Sequence, residues 1–278
     1  MRVDLNELLG RPTPTSPGVT SLVQPEIGGG KLDAEQLGVL DSVPAAPALH
    51  VSGLDQTAFE RLVADYGHRY TAIHFWKCPR VEDLSPLEDL PFLELVAFYW
   101  NQRATRLWDF RRTPRLRGLS FKDFRKLTAL DELVSATSLD QLVFGDAVES
   151  KSVFDSLDPL GGLARLRSLE FMPRRIADGR VDALGGLDKL EHLYCPSNLF
   201  TSRQFAWLRA RLPRASESRV LQPLVNLPRP LGEKDVLLVG RGKPFLNSGT
   251  DAVRISKHVD QFNRYVAEYV ADPQLLPS

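Results

Sequence analysis

Two histidines stand at equivalent points of the sequence and could in principle share a metal ion. His50 and His74 each lie in the middle of a short apolar segment, 24 residues apart (74 − 50). Metal sites in proteins usually need three or four ligands, and no carboxylate or thiol recurs at the same spacing. We therefore expect no metal site, and we interpret both histidines as surface residues.

The segment Gly240-Arg241-Gly242-Lys243-Pro244 has the glycines and the lysine of a phosphate-binding loop. Such a loop requires the spacing GxxxxGK[ST] and opens directly into a helix, whereas here a proline follows the lysine. A basic turn is the better interpretation. The sequence also has neither a GxSxG elbow nor an HExxH pair. We predict that the protein is not an enzyme, with no catalytic residue and no cofactor.

The elements that carry these residues follow one repeating unit between Leu49 and Asn198. Each unit contains an apolar-x-apolar strand, with another apolar residue three positions before it. The strands are Leu49-His50-Val51, Ile73-His74-Phe75, Val96-Ala97-Phe98, Leu119-Ser120-Phe121, Leu142-Val143-Phe144, Leu169-Glu170-Phe171 and Leu193-Tyr194-Cys195. Successive starts differ by 24, 23, 23, 23, 27 and 24 residues. A nearly constant step of this length predicts a solenoid of stacked repeats.

The repeats resemble the leucine-rich-repeat family and its pattern LxxLxLxx(N/C)xL. Three segments carry the resemblance, namely Tyr70-x-x-Ile73-x-Phe75-x-x-Cys78, Leu93-x-x-Val96-x-Phe98-x-x-Asn101 and Leu190-x-x-Leu193-x-Cys195-x-x-Asn198. The connections at 83–90 and 157–163 are similar to those of internalin-like bacterial repeats. Phe124, Ala147 and Arg174 replace the family's Asn or Cys, and the 27-residue step indicates an insertion near 148–154. The resemblance implies an α/β fold: a curved parallel sheet with short helices or turns on the convex side.

The concave surface of such a sheet is the predicted binding surface, since solenoid curvature creates an extended concave face. Alternation along each strand turns the residue between the two core positions outward. Trp76 and Tyr99 fall on adjacent strands, and these residue types are enriched at interface hot spots. The predicted partner-binding residues are His74, Trp76, Tyr99, Trp100, Lys122 and Tyr194. The alternative is that residues of a terminal cap cover part of these aromatics.

Charge is unevenly distributed along a chain whose net charge is zero. Residues 103–126 contain nine Lys or Arg and two Asp, a net charge of +7, whereas residues 131–160 carry seven acids and one Lys, a net charge of −6. The predicted steering band consists of Arg103, Arg106, Arg111, Arg112, Arg115 and Arg117. Two interpretations are open. The steering band attracts a charged protein partner, or its basic residues form surface ion pairs with the acidic residues of the adjacent repeats. Nucleic acid, stacking on Trp100 and Trp108, is a weaker alternative.

The segments on either side of the repeats are predicted to cap the two ends of the solenoid. Residues 1–43 are expected to form an N-terminal lead-in and cap, with a short helix at 33–40, and residues 44–213 the solenoid of about seven repeats. Residues 214–278 are expected to form a proline-rich linker and a tail with a strand at 236–239 and a helix at 251–270. The tail helix has an apolar stripe, Ile255, Val259, Phe262, Val266 and Tyr269, and Ser248 as its predicted N-cap.

Composition is that of an ordinary globular protein, with 43% apolar and 25% charged residues. No segment has the roughly 18 consecutive apolar residues of a membrane helix, and the N-terminus lacks the apolar core of a secretory signal. Cys78 and Cys195 would lie about 24 Å apart across five strand steps, too far for a disulfide. We therefore expect a cytoplasmic protein that binds another protein. The alternative is an adaptor whose C-terminal tail carries the specific function.

Overall fold

The computed structural model describes residues 4–9, 18–24, 30–44, 46–147 and 151–277. Its strands are β1 (Val19–Leu22), β2 (Ala48–Ser52), β3 (Ala72–Trp76), β4 (Leu95–Asn101), β5 (Gly118–Phe124), β6 (Gln141–Gly145), β7 (Val153–Phe154), β8 (Ser168–Met172), β9 (Arg175–Ile176), β10 (His192–Tyr194), β11 (Leu224–Leu231), β12 (Lys234–Leu238) and β13 (Phe245–Leu246). Its α-helices are α1 (Leu5–Leu9), α2 (Gln56–Arg61), α3 (Ser202–Arg211) and α4 (Ala252–Ala271).

The repeats build one parallel sheet in the order β1-β2-β3-β4-β5-β6-β8-β10. Its register matches the predicted repeat, since Leu49, Ile73, Val96, Leu119, Leu142, Leu169 and Leu193 pair in sequence across the seven repeat strands. The described part of the insertion in the 27-residue step lies outside the main sheet. Part of that insertion forms β7, which pairs only with β9, and positions 148–150 lie outside the described residues.

Phenylalanines form two stacks in the core, which Phe124 joins by edge-on contacts with Phe98 and Phe121. The ring centroids of Phe75 and Phe98 are 4.6 Å apart, and those of Phe121 and Phe144 are 5.4 Å apart, both nearly parallel. Phe144 continues the stack to Phe171 at 5.4 Å. Because each ring packs between those of the neighbouring repeats, the repeats share one core and cannot bury it singly.

Short 3-10 turns line the convex side, where the LxxLxxL segments return the chain. They span Gln36–Ser42, Ser85–Asp89, Phe110–Arg112, Asp131–Ser135, Asp158–Gly162 and Asp182–Gly186. At the end of β4, the buried side chain of Asn101 forms hydrogen bonds with backbone groups that have no backbone partner within the described ranges. Its amide donates to the carbonyl of Val81 at 2.8 Å and accepts from the backbone of Arg103 and Ala104. This bonding explains the Asn of the repeat pattern.

The N-terminal segment is part of the solenoid. Residues expected to belong to a lead-in form β1, which pairs in parallel with β2 and adds an eighth strand to the sheet. The predicted helix at 33–40 is a 3-10 turn over Gln36–Ser42. Further towards the N-terminus, α1 packs on the concave side against β3, β4 and β5.

The C-terminal segment closes the other end. Thr201 and Gln204 form a reciprocal capping box at the start of α3. The expected linker instead contains β11, which pairs antiparallel with β12. The helix α4 packs on α3 and buries Phe262 and Tyr269 in the main core. Its N-cap residue is Asp251 rather than the predicted Ser248, whose side chain bonds Asp235.

Candidate functional site

Three columns of side chains run across the strands on the concave face. They are numbered from the amino-terminal towards the carboxyl-terminal ends of the strands. The first consists of Ala48, Ala72, Leu95, Gly118 and Gln141, the second of His50, His74, Ala97, Ser120 and Val143, and the third of Ser52, Trp76, Tyr99, Lys122 and Gly145. Small residues dominate the first column between β2 and β5. They leave a shallow channel at the amino-terminal ends of these strands.

The helix α1 fills this channel. Leu5 and Leu8 are 1% and 2% exposed, and they form a cluster with Ala48, Ala72, Leu95, Ala97 and Val143. Strand β2 is buried on both faces, whereas β8 and β10 keep an exposed or half-exposed concave face. The alternative left open by the sequence, that a terminal segment covers part of the concave face, therefore applies to the first two columns.

Beneath α1 lie polar groups without hydrogen-bond partners. The rings of His50 and His74 stack at a centroid distance of 4.7 Å, both residues are 3% exposed, and none of their four ring nitrogens has a hydrogen-bond partner among the described residues. Burial lowers the pKa of His50 to about 4. Burial and the neighbouring His50 lower the pKa of His74 to about 3, and the nearby Leu8 carbonyl, whose geometry falls short of a hydrogen bond, raises this pKa slightly. The hydroxyl of Ser120 is also buried and unpaired.

This burial corrects the interpretation of His50 and His74 as surface residues and the expectation that His74 is an accessible binding residue. The imidazole lies under α1 and cannot reach a partner while α1 is in place. Each buried polar group left without a hydrogen bond costs about 1–3 kcal/mol relative to hydrated groups. The contact between α1 and the second column is therefore only partly complementary.

Trp76, Tyr99 and Lys122 of the third column remain half-exposed. Trp76 and Tyr99, with the residues that follow them, form an aromatic cluster, here named the tryptophan patch: Trp76, Lys77, Tyr99 and Trp100. The ammonium of Lys77 lies 4.5 Å from the ring centroid of Trp76 and 5.5 Å from that of Trp100. Trp76 pairs with Tyr99 across β3 and β4. Two indoles thus flank one cation, a cation–π arrangement that holds the aromatic surfaces in position.

The backbone of the tryptophan patch is strained. Lys77, Trp100 and Asp123 occupy equivalent positions at the carboxyl-terminal ends of β3, β4 and β5, with φ of 52°, 63° and 57°. This left-handed region is uncommon for residues other than glycine and is a genuine outlier for a bulky one. A residue held there costs on the order of 1–3 kcal/mol, and such residues cluster at functional sites.

The remaining predicted binding residues do not join the patch. Lys122 is adjacent to Tyr99, but its Nζ bonds the carboxylate of Glu170 at 2.8 Å. Tyr194 is 50% exposed on β10, five strand steps from β3, which corresponds to about 24 Å. Lys77, between the two indoles, was not among the predicted site residues. Its position next to Trp76 was visible in the sequence, but its left-handed backbone was not.

The arginine band lies on the segment after β4. Arg106 pairs with Glu132 at 3.4 Å, Arg111 with Asp109 at 2.7 Å, and Arg117 with Glu94 at 3.1 Å. The bonds from Arg111 hold the pKa of Asp109 near 2. Arg103 and Arg112 are exposed, and Arg115 packs over the ring of Phe92 at 4.9 Å. Half of the band is therefore engaged by neighbouring carboxylates.

Trp108, expected to be available for stacking on bases, is fully buried. Its indole N–H donates to the hydroxyl of Thr113 at 3.1 Å, and its ring packs against Phe110. Trp108 is a core residue, and the nucleic-acid hypothesis loses one of its two stacking platforms.

Other chemistry is sparse. The described ranges contain no cluster of three or more His, Cys, Asp or Glu suited to a metal ion. Both cysteines are buried free thiols, and burial raises the pKa of Cys78 to about 12. Gly240–Pro244 forms the turn between β12 and β13 rather than the start of a helix. In the part of the chain that the structure describes, no helix has the length and apolarity required to cross a bilayer.

Solved structures share this architecture. An internalin (inlF) from Listeria monocytogenes aligns with 68% of this chain and 51% of its own length, at 19% identity and a TM-score of 0.50. The chain has an internalin-like leucine-rich-repeat fold. It spans about half of that internalin, so the likeness concerns the repeats and not the whole protein.

Two further structures align less closely. They are a TLR13–ssRNA13 complex (15% identity, 64% of this chain and 29% of that one, TM-score 0.44) and the Listeria monocytogenes internalin C2 (16% identity, 58% and 74%, TM-score 0.31). No protein-family model and no curated protein sequence matches the chain. At these identities the likeness concerns the leucine-rich-repeat fold alone, and function must be argued from the surface.

Proposed function

We propose that the protein is a non-catalytic binding module that docks a protein partner on the concave face of its leucine-rich-repeat sheet, with the tryptophan patch at the centre. The observation that carries this proposal is the half-exposed pair of tryptophans around Lys77, held on strained backbone. Tryptophan, tyrosine and arginine dominate hot spots because they bury large areas at low entropic cost. A strained and partly exposed aromatic cluster brings no packing advantage to the core.

Charge supports a protein partner over nucleic acid. Three arginines of the band are already paired with carboxylates, and an acidic region follows in the next repeats. A phosphate backbone favours a surface of one sign, whereas alternating bands favour a partner with a complementary pattern. Trp108 also lies in the core.

The C-terminal tail supports a capping role better than that of a separate effector. Arg203 on α3 donates to the hydroxyl of Tyr269 at 2.9 Å, and the indole of Trp207 donates to the carbonyl of Leu275 at 3.0 Å. These bonds and the buried ring of Phe262 attach α4 to the last repeat. We further propose a cytoplasmic location, which the two free thiols support.

Replacing Trp76 and Tyr99 together by Ala should reduce capture of the partner at least about tenfold, because hot-spot truncations typically cost 2 kcal/mol or more. The measurement is an affinity pull-down from the source cell's lysate at low and high salt, with the captured proteins quantified by mass spectrometry. Lys122 is left unchanged, since its removal would leave Glu170 without its ion pair.

Phe245→Ala provides the matched control, because Phe245 is an exposed aromatic on β13, outside the repeat sheet and the tryptophan patch. The control should capture the partner as the wild type does, and circular dichroism should report the same fold for all three proteins. Equal capture by the double variant would contradict the site. Recovery of nucleic acid alone, released by salt, would move the function to the arginine band.

A further inference from the structure

The helix α1 has the form of a bound amphipathic helix. Leu5 and Leu8 point into the channel, whereas Asn6 and Glu7 are exposed. Asp4 caps the helix by accepting from the backbone of Glu7 at 2.9 Å, and the Glu7 carboxylate accepts from the backbone of Asp4 at 3.1 Å. Leucines three residues apart on one face, with acidic groups at the start, are the anchors of a helix seated in a groove.

The helical conformation of α1 depends on its contacts with the channel rather than on its own stability. A helix of five residues is far below the length that is stable in water. Its leucines meet a floor of small residues, and a Cβ built on Gly118 would lie 3.4 Å from the Cβ of Leu5 and 2.5 Å from Leu95 Cδ2. The floor is thus shaped to admit the side chains of a helix, and α1 adopts its form on that floor.

As an occupant, α1 leaves the second column unsatisfied. It packs against β3, β4 and β5, where the ring nitrogens of His74 and the hydroxyl of Ser120 are buried, and neither these groups nor the adjacent His50 ring has a hydrogen-bond partner among the described residues. A different helix with the same leucine spacing and a polar side chain towards the second column would make bonds that α1 does not. The channel is also continuous with the tryptophan patch, since the edge of Trp76 contacts the His50 ring at a centroid distance of 6.2 Å.

We propose that the channel under α1 is the docking groove for an amphipathic helix of the partner protein, with two leucines three residues apart and hydrogen-bonding side chains facing His50, His74 and Ser120, and that α1 occupies the groove until this helix displaces it. The inference rests on the proposed function, and it specifies the chemistry of the partner. A partner helix in the groove would extend over Trp76 and Tyr99, so that displacement of α1 and binding at the tryptophan patch occur together.

The test uses the full chain with Leu5→Asp and Leu8→Asp, which empties the groove, and a fluorescent peptide of residues 1–12 as the probe. The peptide should bind this variant at least about tenfold more tightly than it binds the wild type, since an occupied groove lowers the apparent affinity by the fraction that is open. Fluorescence anisotropy measures the binding, and circular dichroism reports the fold. Asn6→Asp, on the exposed face of α1, should behave as the wild type.

Two controls define the site. A peptide carrying both leucine-to-aspartate changes should not bind, and adding Ala97→Glu to the emptied variant should abolish binding of the unmodified peptide. Absence of peptide binding to a folded, emptied variant would overturn the groove. A stable dimer between wild type and emptied variant would show that the occupant is α1 of a second copy, and would overturn the partner helix.

The last experiment repeats the affinity pull-down with the emptied variant, which carries Leu5→Asp and Leu8→Asp. The pull-down is done once with this variant alone and once with an excess of the peptide of residues 1–12. The emptied variant should capture more partner than the wild type, and the peptide should reduce that capture. Unchanged capture in both cases would overturn the inference while the Trp76/Tyr99 result stands. Conversely, peptide binding to the groove with no loss of capture in the Trp76/Tyr99 variant would contradict the proposed function and leave the groove intact.

Discussion

Replacing Phe121 by Ala should lower the free energy of unfolding by about 3–5 kcal/mol, as expected for truncation of a large core residue. The Phe121 ring is fully buried, stacks on Phe144 at 5.4 Å, and meets Phe124 edge-on at 5.8 Å. Its removal leaves a cavity between two repeats, where rings held on both sides cannot collapse into the space. Urea denaturation followed by circular dichroism measures the change.

Phe92→Ala is the matched control, because that ring is 59% exposed. It should change the free energy of unfolding by less than about 1 kcal/mol, since surface substitutions are usually near neutral. A similarly small effect for Phe121→Ala would place that residue outside the core and contradict the stack as the centre of stability.

Lowering the pH from 7 to 5 should destabilise the wild type by up to about 2 kcal/mol for each of His50 and His74. Both groups have a pKa in the folded state, about 4 and about 3, that lies below the ordinary value of 6.5. The unfolded chain therefore binds more protons in this window, so stability is fully present above pH 6.5 and falls as the pH decreases towards 4. Urea titrations at pH 7, 6 and 5 measure the loss.

A variant with His50→Phe and His74→Phe keeps two stacked rings of similar size and removes both titrating groups. It should lose less stability over the same range, and the difference between the variants cancels the contributions of other groups. The carboxylates with lowered pKa values, such as Asp109, titrate mainly below this range. Equal pH dependence in both proteins would show that the two imidazoles are hydrated in the folded state.

The solenoid could be predicted because its determinants are local and repeated. A step of 23 or 24 residues places Leu49, Ile73 and Val96 in register, and the alternation along each strand then fixes which side chains face the core. The insertion before β8 followed from the one longer step. Strand β1 could not be predicted in the same way, since Val19–Leu22 lacks the Leu and Phe pattern of the other strands and gains its position from pairing with β2.

The site was only partly predictable. The positions of its aromatic residues depend on the repeat, whereas the burial of its histidines depends on a contact with a segment outside the repeat. Trp76 and Tyr99 could be placed side by side from the repeat alone. The burial of His74 depends on a contact with Leu5 and Leu8, which are distant in sequence. The sequence did contain an indication of this burial, because the small residues Ala72 and Gly118 leave room above the sheet for another element. Whether a partner or the chain itself fills that room is not encoded in the repeat.

The left-handed turns at Lys77, Trp100 and Asp123 have a consequence for protein engineering. The equivalent turn after β2 is held by Gly53, with a φ of 76°. Glycine adopts this conformation without steric cost, so a consensus design that repeats Gly53 at the other turns would relieve strain and raise heat tolerance. The same design would erase Trp100 and Lys77 and flatten the aromatic surface. Under the proposed function, the gain in thermostability would come at the expense of recognition.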